Sequence, residues 1–186
     1  MFYHASDAKN IKVLEPRGED GLVYFSTKRE NVLVYLVNAV KKFCNDNGIR
    51  FEGAHWGPYG FTKEGLLQIE EYYEGALEKT YKGMSAYIYS VNNVEDSGDC
   101  KYIKNVATSR TPVKVDSVEY VPDALEAILK AERQGLIAIR RYEEMSEKGR
   151  IWLEKITREE YLNPKITADY KAFLKANFAD ILKDID

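Results

Sequence analysis

The sequence predicts an α+β fold in which a few short strands are interrupted, and then followed, by helices. Three observations carry this expectation. Short runs of β-branched and aromatic residues occur at 2–4, 22–25, 84–91 and 113–121. Segments of helical period lie between and after them, without the strict alternation of strand and helix that a doubly wound parallel sheet requires. From Asp123 onward the pattern is helical to the end.

Taken in order, Phe2-Tyr3-His4 and Leu22-Val23-Tyr24-Phe25 read as buried strands, and Pro16, Gly18 and Gly21 make the stretch between them rich in turns. Thr27-Lys28-Arg29-Glu30 has the form of a capping box, in which hydroxyl and carboxylate satisfy each other's orphan backbone N–H groups. It predicts the start of a helix. Val32, Tyr35, Leu36, Ala39, Val40 and Phe43 then recur every three or four residues, and Asn47-Gly48 supplies the stop. The segment His55-Trp56-Gly57-Pro58-Tyr59-Gly60 has the Gly and Pro of a loop with large aromatic rings that could wall a pocket.

A helix is expected over 65–81, with Leu66, Ile69, Tyr73, Ala76 and Leu77 on one face. The run 84–91 carries Tyr87, Ile88, Tyr89 and Val91, as a strand covered on both faces would. A further strand over 113–121 is ended by Pro122, and helices are expected over 123–147, 152–161 and 167–183. The last is amphipathic, with Tyr170, Phe173, Leu174, Phe178, Ile181 and Leu182 at helical spacing. That face packs on the core or on a partner, and the C-terminal helices are one route to a homo-oligomer.

A chain of 186 residues with 45% hydrophobic and 31% charged content is sized for a single domain, a mixed strand and helix core over 1–122 with a helical segment over 123–186. The net charge of -3 disfavours broad nucleic-acid binding through phosphate neutralisation. No apolar run approaches the length needed to cross a bilayer, so no membrane association is expected. Met-Phe-Tyr-His-Ala-Ser shows no basic n-region and no apolar h-region, so a cytoplasmic location is expected, with Cys44 and Cys100 as free thiols. Only His4 and His55 are available as imidazole ligands, without the spacings of a zinc site, so no metal is expected. The glycine cluster at 57–60 has neither P-loop nor dinucleotide-fold spacing.

The residues with the sharpest signal come early. His4 ends an apolar strand in Tyr3-His4-Ala5-Ser6, Tyr24 lies in Val23-Tyr24-Phe25-Ser26-Thr27, and Tyr35 follows Tyr24 by 35 − 24 = 11 residues. This order resembles the ADP-ribosyltransferase superfamily, in particular its His-Tyr-Glu branch of diphtheria-type toxins and poly(ADP-ribose) polymerases. The branch opens its NAD site with aromatic-His-Gly-Ser/Thr, which Tyr3-His4-Ala5-Ser6 matches with Ala5 in place of glycine. The likeness covers mainly residues 2–43, and more loosely 84–91 and 105–121.

The resemblance implies a split β-sandwich with inserted helices, an NAD site within 1–122, and transfer of ADP-ribose to a protein, nucleic-acid or small-molecule acceptor. His4 would bond a ribose hydroxyl of NAD, the Ala5 backbone would meet the nicotinamide carboxamide, and Tyr24 and Tyr35 would sandwich the nicotinamide ring. The family's glutamate stabilises the positive charge that develops on the ribose as nicotinamide leaves. Here, ungapped alignment on Pro112 puts Val106 at that position and a one-residue shift puts Asn105 there, and no carboxylate lies between Asp99 and Asp116. Asn105 can bond a hydroxyl but has no charge to set against a cation. Glu119, the next glutamate, reads as an exposed residue alternating with Val118 and Tyr120.

Two functional readings follow: an NAD-binding ADP-ribosyltransferase-like protein, active or catalytically weakened, or a non-catalytic interaction module on the same fold. The cysteines have no base nearby in sequence, Tyr72-Tyr73 reads as a packed helix face, and Arg140-Arg141 as a solvated one.

Overall fold

The computed structural model describes residues 1–18 and 20–185. About a third of the chain is helical (35%) and about a fifth strand (22%), in open sheets, so the mixed α and β content expected from the sequence is present. Along the chain run β1 (Phe2–Ser6), β2 (Val13–Leu14), β3 (Val23–Ser26), a 3-10 helix (Arg29–Tyr35), α1 (Ala39–Asn47), β4 (Tyr59–Phe61), β5 (Leu67–Glu70), α2 (Ala76–Tyr81), β6 (Ala86–Val91) and β7 (Val106–Ser109). They are followed by β8 (Val113–Lys114), β9 (Ser117–Val121), α3 (Ala124–Arg133), β10 (Ala138–Arg140), a second 3-10 turn (Tyr142–Glu144), α4 (Glu147–Tyr161), α5 (Ala168–Asn177) and α6 (Ala179–Leu182). None of the described helices is long and apolar enough to cross a membrane.

The chain forms two compact units, and the division does not fall at residue 122. The first comprises 1–37, 61–67 and 81–138, and the second 38–60, 68–80 and 139–186. In the first, five strands form an antiparallel sheet in the order β7-β3-β1-β6-β9, and β2 pairs β8 in a small ribbon. One face of the sheet buries Val23, Phe25, Tyr89, Val91 and Ala107 with Leu14. The 3-10 helix packs against β1, β3 and α3, with Val32 and Leu33 buried.

In the second unit α1, α4, α5 and α6 gather around Val40, Cys44, Tyr73, Leu153, Phe173, Leu174 and Phe178. The apolar stripe of the C-terminal segment is therefore consumed by its own core. Trp56 joins that core, its ring 5.6 Å from Phe178 and 5.8 Å from Tyr72, so the Gly/Pro loop is anchored by its tryptophan. The 59–61 part of that loop is strand, in a three-stranded sheet of order β10-β5-β4.

Several expected elements differ in the structure, each for a local reason. The helix predicted from Thr27 to Asn47 is two elements, because Asn38 adopts extended backbone and its Oδ1 accepts from the N–H groups of Val40 and Lys41 at 3.0 and 3.1 Å. Thr27 caps nothing there: the first element is a 3-10 helix whose N-cap position, Lys28, makes no side-chain cap bond. The apolar stripe read as one face divides accordingly, Val32 and Leu36 belonging to the first unit and Val40 and Phe43 to the second. Gly48, with φ 65°, ends α1 as expected.

The helix expected over 65–81 begins as strand β5, in which Leu67 and Ile69 are buried, and only 76–81 is helical. Tyr72 and Tyr73 are packed, but in the turn between β5 and α2. The strand expected over 113–121 is β8 and β9, which sit in different sheets. The helix expected over 123–147 stops at Arg133, with Gly135 at φ 69°, and the chain returns as β10. Arg140, read as solvated, pairs with the buried carboxylate of Glu70. The helix expected over 167–183 breaks at Phe178 (φ -128°, ψ 35°).

Candidate functional site

The sheet of the first unit is uneven around β1. Toward β6 the ladder runs five pairs, from Phe2 with Val91 to Ser6 with Tyr87. Toward β3 it is reduced to the single pair Tyr3 with Ser26, so Ala5 has no ladder partner on that side. His4 sits where the pairing lapses, and its Nδ1 lies 2.9 Å from the carbonyl oxygen of Tyr24. A carbonyl only accepts, so Nδ1 carries the proton and Nε2 of the neutral ring is left as an acceptor. Burial pushes the His4 pKa below its usual value, which favours that neutral form.

Alternation along the strands separates the predicted partners. His4 shares a face with Tyr89, its cross-strand partner, and its ring meets Phe25 at 6.1 Å. Tyr24 pairs with Thr108 and points to the opposite face, the one that carries Tyr3 and Ser26. The two side chains therefore stand on opposite faces of the sheet, joined only through the bond from the His4 ring to the Tyr24 carbonyl that spans the lapse between β1 and β3.

Tyr24 is 45% exposed, and its hydroxyl donates to Asp20 Oδ2 at 2.5 Å. That bond, with burial and the Asp20 charge behind it, pushes the phenol up to about 12. Tyr35 ends the 3-10 helix and is 39% exposed, so it is not simply a core ring of the apolar stripe. Asn105 precedes β7, and its carbonyl accepts from the Thr27 N–H at 2.9 Å, tying it to the end of β3. It has φ +64°, a left-handed conformation that asparagine tolerates better than other residues with a β-carbon. Asparagine at 105 thus has a backbone reason of its own.

Searches against protein families, curated proteins and solved structures find no match.

Two residues that the sequence reading passed over enter this region. Asp20 fixes the Tyr24 hydroxyl from a turn that shows no periodicity. Arg29 binds Glu119 through two hydrogen bonds of 2.8 and 2.5 Å, which hold the Glu119 carboxyl below its ordinary pKa. Glu119 is therefore engaged across the unit, joining β9 to the first turn of the 3-10 helix that ends at Tyr35. Arg29 carried no local signal because its partner lies 90 residues away, and Asp20, four residues before Tyr24, sits in a turn whose geometry the sequence pattern does not set. Among the described residues no cluster of His, Cys, Asp and Glu is arranged to hold a metal ion. Cys100 is partly buried and its thiol is pushed up by burial and then by Asp99, so it is not poised as a thiolate.

Proposed function

We propose that the first unit is an NAD-binding, ADP-ribosyltransferase-like domain of split β-sandwich type, acting in the cytoplasm and weakened as a catalyst. The observation that carries this reading is the parting of β1 from β3 beside His4. It leaves the Ala5 backbone without a ladder partner toward β3, a neutral imidazole with Nε2 as acceptor, and Tyr24 on the far side of the gap. A ribose hydroxyl can donate to Nε2, whereas Ala5 is 7% exposed and meets a carboxamide only through the backbone that the lapsed pairing leaves on its β3 side. Tyr24 and Tyr35 keep enough exposed ring to stack on a planar heterocycle.

Asn105 supplies no negative charge where bond cleavage would build positive charge, and the nearest glutamate on a strand, Glu119, is neutralised by Arg29. Binding without efficient transfer follows from that pairing. The acceptor, a protein or nucleic acid on this reading, is not specified by any group at the gap.

A thermal-shift titration with NAD, ADP-ribose and nicotinamide tests the reading, because a ligand that binds only the native state at about 100 times its Kd adds roughly 2.7 kcal/mol. A rise in Tm with NAD that is lost in Tyr35→Ala supports it. No shift with any of the three ligands sinks it.

A second reading, a non-catalytic interaction module, is favoured by Ile151 and Trp152, which stand 63% and 48% exposed on α4. Ile151 stands open to solvent, and Trp152 keeps about half its surface exposed while one edge of its ring meets Tyr72 at 5.7 Å, at the margin of the helical core. Clear NAD turnover abolished by Tyr35→Ala would exclude it.

A further inference from the structure

Strand β9 is the outer strand of the five-stranded sheet, and no strand pairs with its free edge among the described residues. Natural edge strands are usually blunted by proline, by lysine or another charged side chain, by a bulge or by a covering segment, because an open row of N–H and C=O groups templates pairing with another chain. Ser117-Val118-Glu119-Tyr120-Val121 carries no proline and no lysine, and its ladder with β6 runs five consecutive pairs without a bulge. Its four residues from Ser117 to Tyr120 are exposed, with Val118 at 57% and Tyr120 at 56%. The charge on the strand is Glu119, and its carboxylate is held by Arg29.

A groove of about 380 Å³ runs beside this edge, between β9, α3 and the start of the 3-10 helix. Glu30, Glu119, Asp123 and Glu126 line it; Arg29 pairs Glu119 and Arg133 pairs Glu126, which leaves the carboxylates of Glu30 and Asp123 against the single cation of Lys130. Val118 and Tyr120 present an apolar face on one side of the strand, while Glu119 faces the other.

We propose that the free edge of β9 binds an extended segment of another protein by strand addition, taking a segment in which apolar and basic residues alternate. The apolar residues extend the face of Val118 and Tyr120, and the basic ones enter the carboxylate-lined groove. Backbone pairing supplies the affinity common to strand addition, and the alternating side chains supply the selectivity. A second copy of this chain fits less well, because Ser117-Val118-Glu119-Tyr120-Val121 carries no basic residue to enter the groove. The inference is independent of the NAD reading.

The experiment uses the full chain and three capped synthetic peptides: one alternating lysine and valine, its twin N-methylated at every second residue, and one alternating glutamate and valine. The lysine-valine peptide is expected to bind and to slow amide exchange across 117–121. Its N-methylated twin, and the unmethylated peptide tested against Val118→Lys, are each expected to lose roughly tenfold or more in affinity. Val118 is exposed, so Val118→Lys should melt where the parent does, which separates lost binding from lost folding. The proposal is overturned if the lysine-valine peptide does not bind, if either of the other peptides binds as well, or if the chain self-associates through 117–121 and the peptide leaves that association intact.

Discussion

His4 and Tyr24 are joined side chain to backbone, the imidazole Nδ1–H donating to the Tyr24 carbonyl at 2.9 Å where β1 and β3 stop pairing. The bond replaces a ladder contact with a side-chain one. It also orients the ring and fixes which nitrogen stays free to accept. Strand pairing and the candidate site therefore depend on the same side chain.

His4→Ala removes this bond and part of the packing against Phe25. The expected loss is about 1 kcal/mol for the hydrogen bond, with a further contribution from the ring. Urea unfolding measures it. On the NAD reading, the variant also loses the Tm rise with NAD under conditions where it remains folded.

The pH dependence has a definite sign. Burial lowers the native pKa of His4 from 6.5, so below that value the unfolded chain binds more protons than the native one. The contribution of His4 to stability is thus complete above pH 6.5 and lost as pH falls from there toward the native pKa. Unfolding free energy measured from neutral to mildly acidic pH should decline in the parent, and decline less steeply in His4→Gln. Equal slopes would show that His4 is not the group responsible.

Asn105 adopts φ +64°. Asn105→Gly should leave stability nearly unchanged, whereas Asn105→Ala should cost about 1–2 kcal/mol, the steric penalty of a β-carbon in the left-handed region. Asn105→Glu carries the same backbone penalty, and on the NAD reading it raises NAD hydrolysis by restoring charge beside the ribose. Nicotinamide release from folded Asn105→Glu no faster than from the parent would remove Asn105 from the glutamate's position.

Asn38 is the hinge between two elements that the periodicity joined. It caps α1 through Oδ1 and donates from Nδ2 to the Ala54 carbonyl at 3.0 Å. Asn38→Ala loses both functions and should destabilise by about 1–2 kcal/mol in urea unfolding. Asn38→Asp keeps the cap acceptor and loses the donor, so it should fall between Asn38→Ala and the parent.

Arg29→Ala leaves Glu119 without its cation, and the Glu119 carboxyl should titrate closer to its ordinary value in an NMR titration. The change in stability should stay within about 1 kcal/mol, because the pair is open to solvent.

The strands at 2–6, 23–26 and 86–91 were legible because β-branched and aromatic residues cluster there between turn residues. The C-terminal helical stripe was legible for the same local reason, its period matching one face of a helix. Expected helices failed where the spacing of apolar residues was compatible with more than one period. Leu66, Ile69 and Tyr73 fit a helix, yet Leu67 and Ile69 are buried in a strand. Val32 to Phe43 fit one stripe, yet the stripe serves two cores. At the candidate site, the sequence could nominate His4, Ala5, Tyr24, Tyr35 and Asn105, but not the lapse in the β1–β3 ladder. Nor could it show the Tyr24–Asp20 bond or the Arg29–Glu119 pair, the latter spanning 119 − 29 = 90 residues.

The sequence by itself determined the mixed α and β content, the order of most elements and the stops at Gly48 and after Val121, because propensity, period and capping act over a few residues. Tertiary structure decided which core each apolar stripe joins, on which face of the sheet His4 and Tyr24 stand, and that the edge of β9 stays open. Those outcomes depend on strand register and on contacts between residues far apart in the chain, which no local pattern encodes.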